Sequence, residues 1–252
     1  MNNITLEQLR GRIAALEQPD RRIEAMPTGL ADVDAVLPWG GLPLGALHEV
    51  LLPAGEGEDG PAVGLVTVLL GRLAARQDGP VLWVCGRDDL YAPGLAALGL
   101  PPERILMVRP ARAADALRAL EEGVRCRGLA AVTGDVWDMD ATARRRLHLA
   151  ARDSGVTALV MARHEGDGTA LTRWRVGAAV TEPPPGQALR QGVGSWRWRL
   201  TLAHCRGRGS DGEGVVARWL VEWNDETHRL RLASLPGDRP VVPAVPGIRR
   251  AG

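Results

Sequence analysis

The chain has 252 residues, a formal net charge of +1 and 45% apolar residues, enough for one sizeable core or an α/β domain with a small appendage. Its near-zero charge excludes a whole-molecule field that would draw nucleic acid or a membrane surface. All 31 basic side chains are arginine, and Phe is absent, so the core must be Leu, Val and Ala with the eight Trp as its large pieces. Cys85, Cys126 and Cys205 are far apart and odd in number, which argues against a disulfide framework and for a reducing cytosol. The histidines share no metal-type spacing, no apolar run reaches the length of a membrane span, and the first residues mix charges too early for a signal peptide. The expectation is a soluble, cytoplasmic protein with no membrane contact, no metal and no cofactor.

Along the chain, Thr5 to Glu17 reads as an amphipathic helix: Thr5 and Gln8 make a capping box, and Leu6, Leu9, Ile13 and Leu16 recur at helical spacing. So short a helix needs a surface to dock on, whether its own core, another subunit or a partner. Those four residues are the candidate partner-binding stripe. TGLADVD then suits a turn into a short helix and GGLPLG a tight loop. Strands over Leu47–Leu52, Pro80–Cys85, Ile105–Val108, Leu129–Thr133 and Ala158–Ala162 alternate with helices over Ala62–Arg76, Gly94–Leu98, Ala113–Arg125 and Met139–Ser154. Such alternation predicts α/β architecture with a mainly parallel sheet covered on both faces. Beyond residue 165 helical periodicity ends, and TRWRVGAAV, SWRWRLTLAHCR, VVARWLVEW and HRLRLA alternate like antiparallel strands, as an extension of the main sheet or as a β appendage. The expected division is a helix and linker over 1–25, a core over 26–235 with its β-rich extension over 164–235, and a Pro/Gly-rich flexible tail over 236–252.

Between the first of those strands and the helix that follows, an α/β nucleotide fold would place its phosphate loop, with a Lys for the phosphates and a Ser or Thr for Mg²⁺. Here the segment reads PAGEGEDGPAVGLV, with no Lys, Ser or Thr and with Glu56, Glu58 and Asp59 where a triphosphate would add negative charge. This is the pattern of a nucleotide-binding fold without nucleotide hydrolysis.

Between Leu171 and Ser210 stand seven arginines, Arg173, Arg175, Arg190, Arg197, Arg199, Arg206 and Arg208, against the single acid Glu182. On a strand, Trp196, Trp198, Leu200 and Leu202 point one way while Arg197, Arg199 and Thr201 point the other. The arginines are therefore candidates for binding nucleic acid or an acidic partner. The alternative is a solvated face that is arginine-rich because the chain has no lysine, with the Trp side chains in the core.

The lead-in TGLADVD…GGLPLGALHEV resembles the RecA/RadA core. The later segments LYAPGLAALGL, ALRALEEG, RRRLHLAARDSG, LTRWRV, RWRLTLAHCRGRG and WLVEWNDETHRLRLA resemble the ImuA family, over roughly residues 5 to 240. The resemblance implies a RecA-like core with an N-terminal helix and antiparallel C-terminal strands. It also implies an accessory role in SOS-induced mutagenic translesion synthesis, through contacts with an ImuB-type, Y-family-like pseudo-polymerase. RecA is a second implied contact, the error-prone DNA polymerase III alpha subunit an indirect one, and self-association or weak single-stranded DNA binding are compatible with it. In RecA filaments an N-terminal helix docks on the neighbouring core, a role the Leu6/Leu9/Ile13/Leu16 stripe would fill. Against a working RecA site, Arg87 stands near the position of the catalytic glutamate, and Asp135 is the one candidate survivor of the Mg²⁺-holding strand end. Asp138 and Asp140 suit helix capping. The competing readings are a SulA-like cell-division inhibitor and a nucleotide-dependent RecA-family ATPase.

Overall fold

The computed structural model describes residues 23–53, 58–86, 90–136, 139–181, 195–208 and 215–233. Leu6, Leu9, Ile13, Leu16, Glu56, Arg87, Asp138, Glu182, Arg190 and the tail from Pro236 lie outside the described residues.

The short apolar runs become strands buried at every position: β3 (Leu47–Leu51), β4 (Val81–Val84), β6 (Ala131–Val136) and β7 (Thr157–Ala162), after the two-residue ladder of β1 (Ala25–Met26) with β2 (Leu42–Pro43). β5 (Ile105–Val108) and β8 (Thr172–Ala179) complete the parallel part. Among the described residues five α-helices accompany them: α1 (Ala31–Val36), α2 (Gly60–Arg76), α3 (Ala92–Ala97), α4 (Ala113–Arg125) and α5 (Ala141–Ser154). Two apolar clusters, one on each side of the sheet, take alternate residues of each strand; Val50 and Trp83 join α2 on one side, and Leu47 and Val84 join α4 and α5 on the other. This double cover is why the strands read as continuous apolar runs.

The segment after residue 165 is no separate appendage. β9 (Arg197–Cys205), β10 (Ala217–Asn224) and β11 (Arg229–Leu232) add antiparallel to β8, so that one sheet of nine strands runs β11-β10-β9-β8-β3-β7-β6-β4-β5. The expected alternation holds: Trp198, Leu200 and Leu202 are buried with Trp174, Trp219 and Trp223 in the cluster that α2 shares, whereas Trp196, just before β9, is 46% exposed. Asp140 caps α5 by accepting a bond from the Ala143 amide at 2.7 Å, and Gly155 ends that helix at φ 83°.

α2 packs closely on the antiparallel extension of the sheet. A Cβ at Gly64 would lie 2.7 Å from Cζ2 of Trp198, so the helix approaches β9 only because this position lacks a side chain. Gly64→Ala is expected to lower stability by about 1–3 kcal/mol, because the gain in helix propensity is smaller than the cost of displacing a buried indole. Urea unfolding checks it; an unchanged midpoint would mean that Trp198 can move aside.

Candidate functional site

In open α/β sheets ligands bind beyond the carboxyl ends of the parallel strands. Here that edge is built by Pro53 after β3, by Asp59 at the start of α2, by Asp135 near the end of β6 and by Arg163, His164 and Glu165 after β7. Arg163 reaches across it. Its Nη1 donates to the Pro53 carbonyl at 3.3 Å, and its Nη2 lies 3.4 Å from Oδ2 of Asp59. Both side chains are largely buried, at 17% and 6% exposure. Asp59 does not cap α2 with its side chain. It instead places a carboxylate at the helix start, where a phosphate would seek the positive end of the helix dipole. Pro61 removes one amide from the first turn of α2. Asp135 is buried at 8% exposure on the α2 side of the sheet, opposite Met161 of β7. No group of His, Cys, Asp and Glu able to hold a metal ion occurs among the described residues.

Behind this edge, on the α5 side of the sheet, lies a buried ionic triad. Glu49, at the centre of β3 and fully buried, accepts from Nε of Arg144 on α5 at 2.7 Å and from Nε of Arg173 on β8 at 2.8 Å. Arg144 also donates to the Met139 and His164 carbonyls. One guanidinium thus ties α5 to β3 and to the turn after β7. Gly166 makes room for it, since a Cβ there would fall 2.3 Å from Arg144 Nε. On the opposite side, His48 bridges Thr172 Oγ1, at 2.7 Å from Nδ1, and the Pro43 carbonyl, at 2.9 Å from Nε2. Trp174 Nε1 donates to the same Thr172 hydroxyl at 2.8 Å. Since Nε2 faces a carbonyl it carries the proton, and the Thr172 hydroxyl donates to Nδ1. Burial pushes the His48 pKa down to about 4, only partly opposed by the bond to Pro43.

The candidate arginines divide. Arg173 is buried on Glu49 and presents nothing to a partner, and Arg197 is largely buried, bonded to Glu222 at 2.9 Å. Half-buried Arg206 donates to the Thr169 carbonyl. Arg175 pairs with Glu165. Arg199 and Arg208 are exposed. On the same outward face of β9–β11 the sequence reading missed Arg218 and Arg231, both exposed, the latter paired with Glu222 at 2.7 Å. Strand alternation could have found them. It also missed Arg163 and the Glu49 triad. A lone Glu inside the run LHEVLL signals a buried acid that needs a cation, but nothing in the sequence says which of 31 arginines supplies it.

No helix among the described residues is long and apolar enough to cross a membrane. No protein-family model matches the chain. The ImuA proteins of two Caulobacter vibrioides strains, NA1000 / CB15N and ATCC 19089 / CIP 103742 / CB 15, are each 36% identical to it over 237 residues, covering 88% of this chain and 93% of theirs. The cell division inhibitor SulA of Edwardsiella piscicida is 27% identical over 138 residues, 55% of this chain and 76% of its own. With a central parallel sheet, an antiparallel extension and near full-length identity at this level, the chain belongs to the ImuA family.

Proposed function

We propose that this chain is a non-catalytic, RecA-like accessory protein of SOS-induced mutagenic translesion synthesis. It acts through protein contacts with an ImuB-type pseudo-polymerase, with RecA as a second partner and the error-prone DNA polymerase III alpha subunit reached indirectly. The observation that carries the non-catalytic reading is the Asp59–Arg163 pair at the start of α2. A carboxylate and its own cation stand where a working site would offer helix amides and a lysine to a triphosphate. Binding there would have to displace Asp59 and separate it from Arg163. Lysine is absent from the whole chain, so no lysine from another segment can take that role. The ImuA relatives support the pathway, and the partner stripe is Leu6, Leu9, Ile13 and Leu16. Exposed Arg199 and Arg208 offer guanidinium groups to an acidic partner or to single-stranded DNA.

Purified protein should show no ATP turnover with or without single-stranded DNA, and should capture the cognate pseudo-polymerase or RecA independently of nucleotide. Charging Leu9 and Ile13 together should abolish capture while leaving the unfolding transition of the core unchanged. Stimulated ATP hydrolysis, or capture that requires ATP, would overturn the non-catalytic reading; capture of neither protein would overturn the adaptor role. Filamentation of cells on overproduction without DNA damage would favour the SulA-like alternative.

A further inference from the structure

The α5 side of the sheet carries more positive charge than Glu49 can balance. Its two oxygens are taken by Nε of Arg144 and Nε of Arg173. A third guanidinium, that of half-buried Arg206 just after β9, bonds only a neutral group, the Thr169 carbonyl at 2.9 Å. At the surface Arg173 offers nothing, yet inside its Nη2 is buried without a hydrogen-bond partner among the described residues, on a side chain only 6% exposed. His204 stands directly opposite Arg173 in the β8–β9 ladder, against Gly168 of the preceding turn, and its Nε2 is likewise buried and unpartnered. Half-buried His148 of α5 has its Nδ1 in the same condition. Both imidazoles are held neutral. Burial lowers each pKa first and nearby arginines lower it further, Arg173 and Arg206 for His204, Arg206 and Arg152 for His148. Acids around this cluster are already engaged: Asp167 accepts from the Thr169 amide at 3.1 Å, and Asp153 lies 3.7 Å from Arg152. A buried charged donor without an acceptor costs free energy, and so does buried charge without a counter-charge.

We infer that Arg173, Arg206, His204 and His148 bind a phosphate group between α5 and the β8–β9 ladder. Its oxygens accept the spare N–H of Arg173 and the remaining N–H groups of Arg206, which suit phosphate because the guanidinium fork is planar and always charged. A neutral imidazole nitrogen donates to a phosphate oxygen or accepts from a phosphate hydroxyl, according to its tautomer. Arg144, Arg173 and Arg206 less Glu49 leave two positive charges, and a dianion balances them. A carboxylate brings one charge and two oxygens in one plane, whereas tetrahedral oxygens reach donors from β8, from the end of β9 and from α5 together. The nitrogens are covered in the free chain, so the half-buried imidazoles swing outward as the anion enters. This site is independent of the partner contacts proposed above.

Histidine-ring NMR spectra of the full chain, titrated with inorganic phosphate into the millimolar range at constant pH and ionic strength, with chloride as the control salt, test it. The expected result is saturable shifts of His148 and His204, with His48 unmoved because it lies on the other side of the sheet. Arg206→Gln should weaken binding about tenfold or more by removing a charged donor. His204→Asn gives a second, independent loss by deleting Nε2. Urea unfolding without phosphate checks that both variants fold, and phosphate should raise the wild-type midpoint by mass action. A 5′-phosphorylated single-stranded oligonucleotide that shifts the rings at lower concentration than inorganic phosphate would identify a nucleic-acid end as the source of the group; an equal or weaker response would identify free phosphate. Shifts no larger than those in chloride, or unchanged binding in either folded variant, would overturn the site.

Discussion

Glu49→Gln is expected to cost about 3–5 kcal/mol of stability, the largest loss available from one polar substitution in this core. Glu49 is fully buried and receives one charge-assisted bond from each of Arg144 and Arg173, whose side chains are only 7% and 6% exposed. Removing the negative charge leaves two guanidinium groups in a low-dielectric interior with nothing to neutralise them. The damage is the uncompensated desolvation of the arginines rather than the lost attraction alone. Retaining the wild-type glutamate but changing Arg173→Met should cost less, because Arg144 still balances the carboxylate. Changing Glu49, Arg144 and Arg173 together to apolar residues should recover part of the loss. Recovery stays incomplete, because Arg144 also holds the Met139 and His164 carbonyls. Urea midpoints at neutral pH read all three variants. A loss below about 1 kcal/mol for Glu49→Gln would mean that water or side-chain movement relieves the charges.

Acid should destabilise the fold well above the range in which ordinary carboxylates titrate. His48 is held neutral, with a folded pKa of about 4 against 6.5 when exposed. Between those values the unfolded chain binds the proton and the folded chain does not, so stability rises with pH. The His48 contribution is fully present above pH 6.5 and is lost progressively as pH falls toward 4. At most it amounts to about 3 kcal/mol, at 1.36 kcal/mol per pKa unit. Protonation would also reverse the bond at Nδ1, which accepts from the Thr172 hydroxyl while that oxygen in turn accepts from Trp174. The measurement is the unfolding free energy from pH 7.5 to 4.5 for wild type and His48→Gln. The variant should be less stable at neutral pH and should lack the part of the slope that lies between pH 6.5 and 4.5. Parallel slopes for the two proteins would show that another group governs the acid limb.

Much of the architecture was legible because it depends on local pattern. Ile105–Val108 and Ala113–Arg125 were bounded to the residue, since an apolar run after Pro102 and a strong amphipathic period leave little choice. The expected strand Leu129–Thr133 starts two residues early and stops three early, as Gly134 and Asp135 look like a strand end yet lie inside β6, where Gly134 packs against Val84 and Leu120. Whether TRWRVGAAV and its followers joined the main sheet was open. Pairing partners of strands are long-range contacts, and alternation records only that one face is buried. The arginines show the same limit. Alternation separated Arg197 and Arg199 from Trp198 and Leu200 correctly, but Arg173 obeys the same alternation and is buried, because α5 covers the sheet at β3 and β8 and supplies Arg144 beside it.

By itself the sequence determined the α/β class, the family resemblance, the absence of a lysine to grip phosphate and the inward alternation of the tryptophans, all of which follow from residue identity and short-range period. Only the tertiary structure decided that Arg163 answers Asp59 at the start of α2, that Glu49 is shared by two arginines, and that β5 and β11 are the two edges of the sheet. Those facts depend on which distant segments meet. An arginine's charge and reach are the same at every position in a chain, and burial and the opposing carboxylate alone distinguish one that closes a site from one left to solvent.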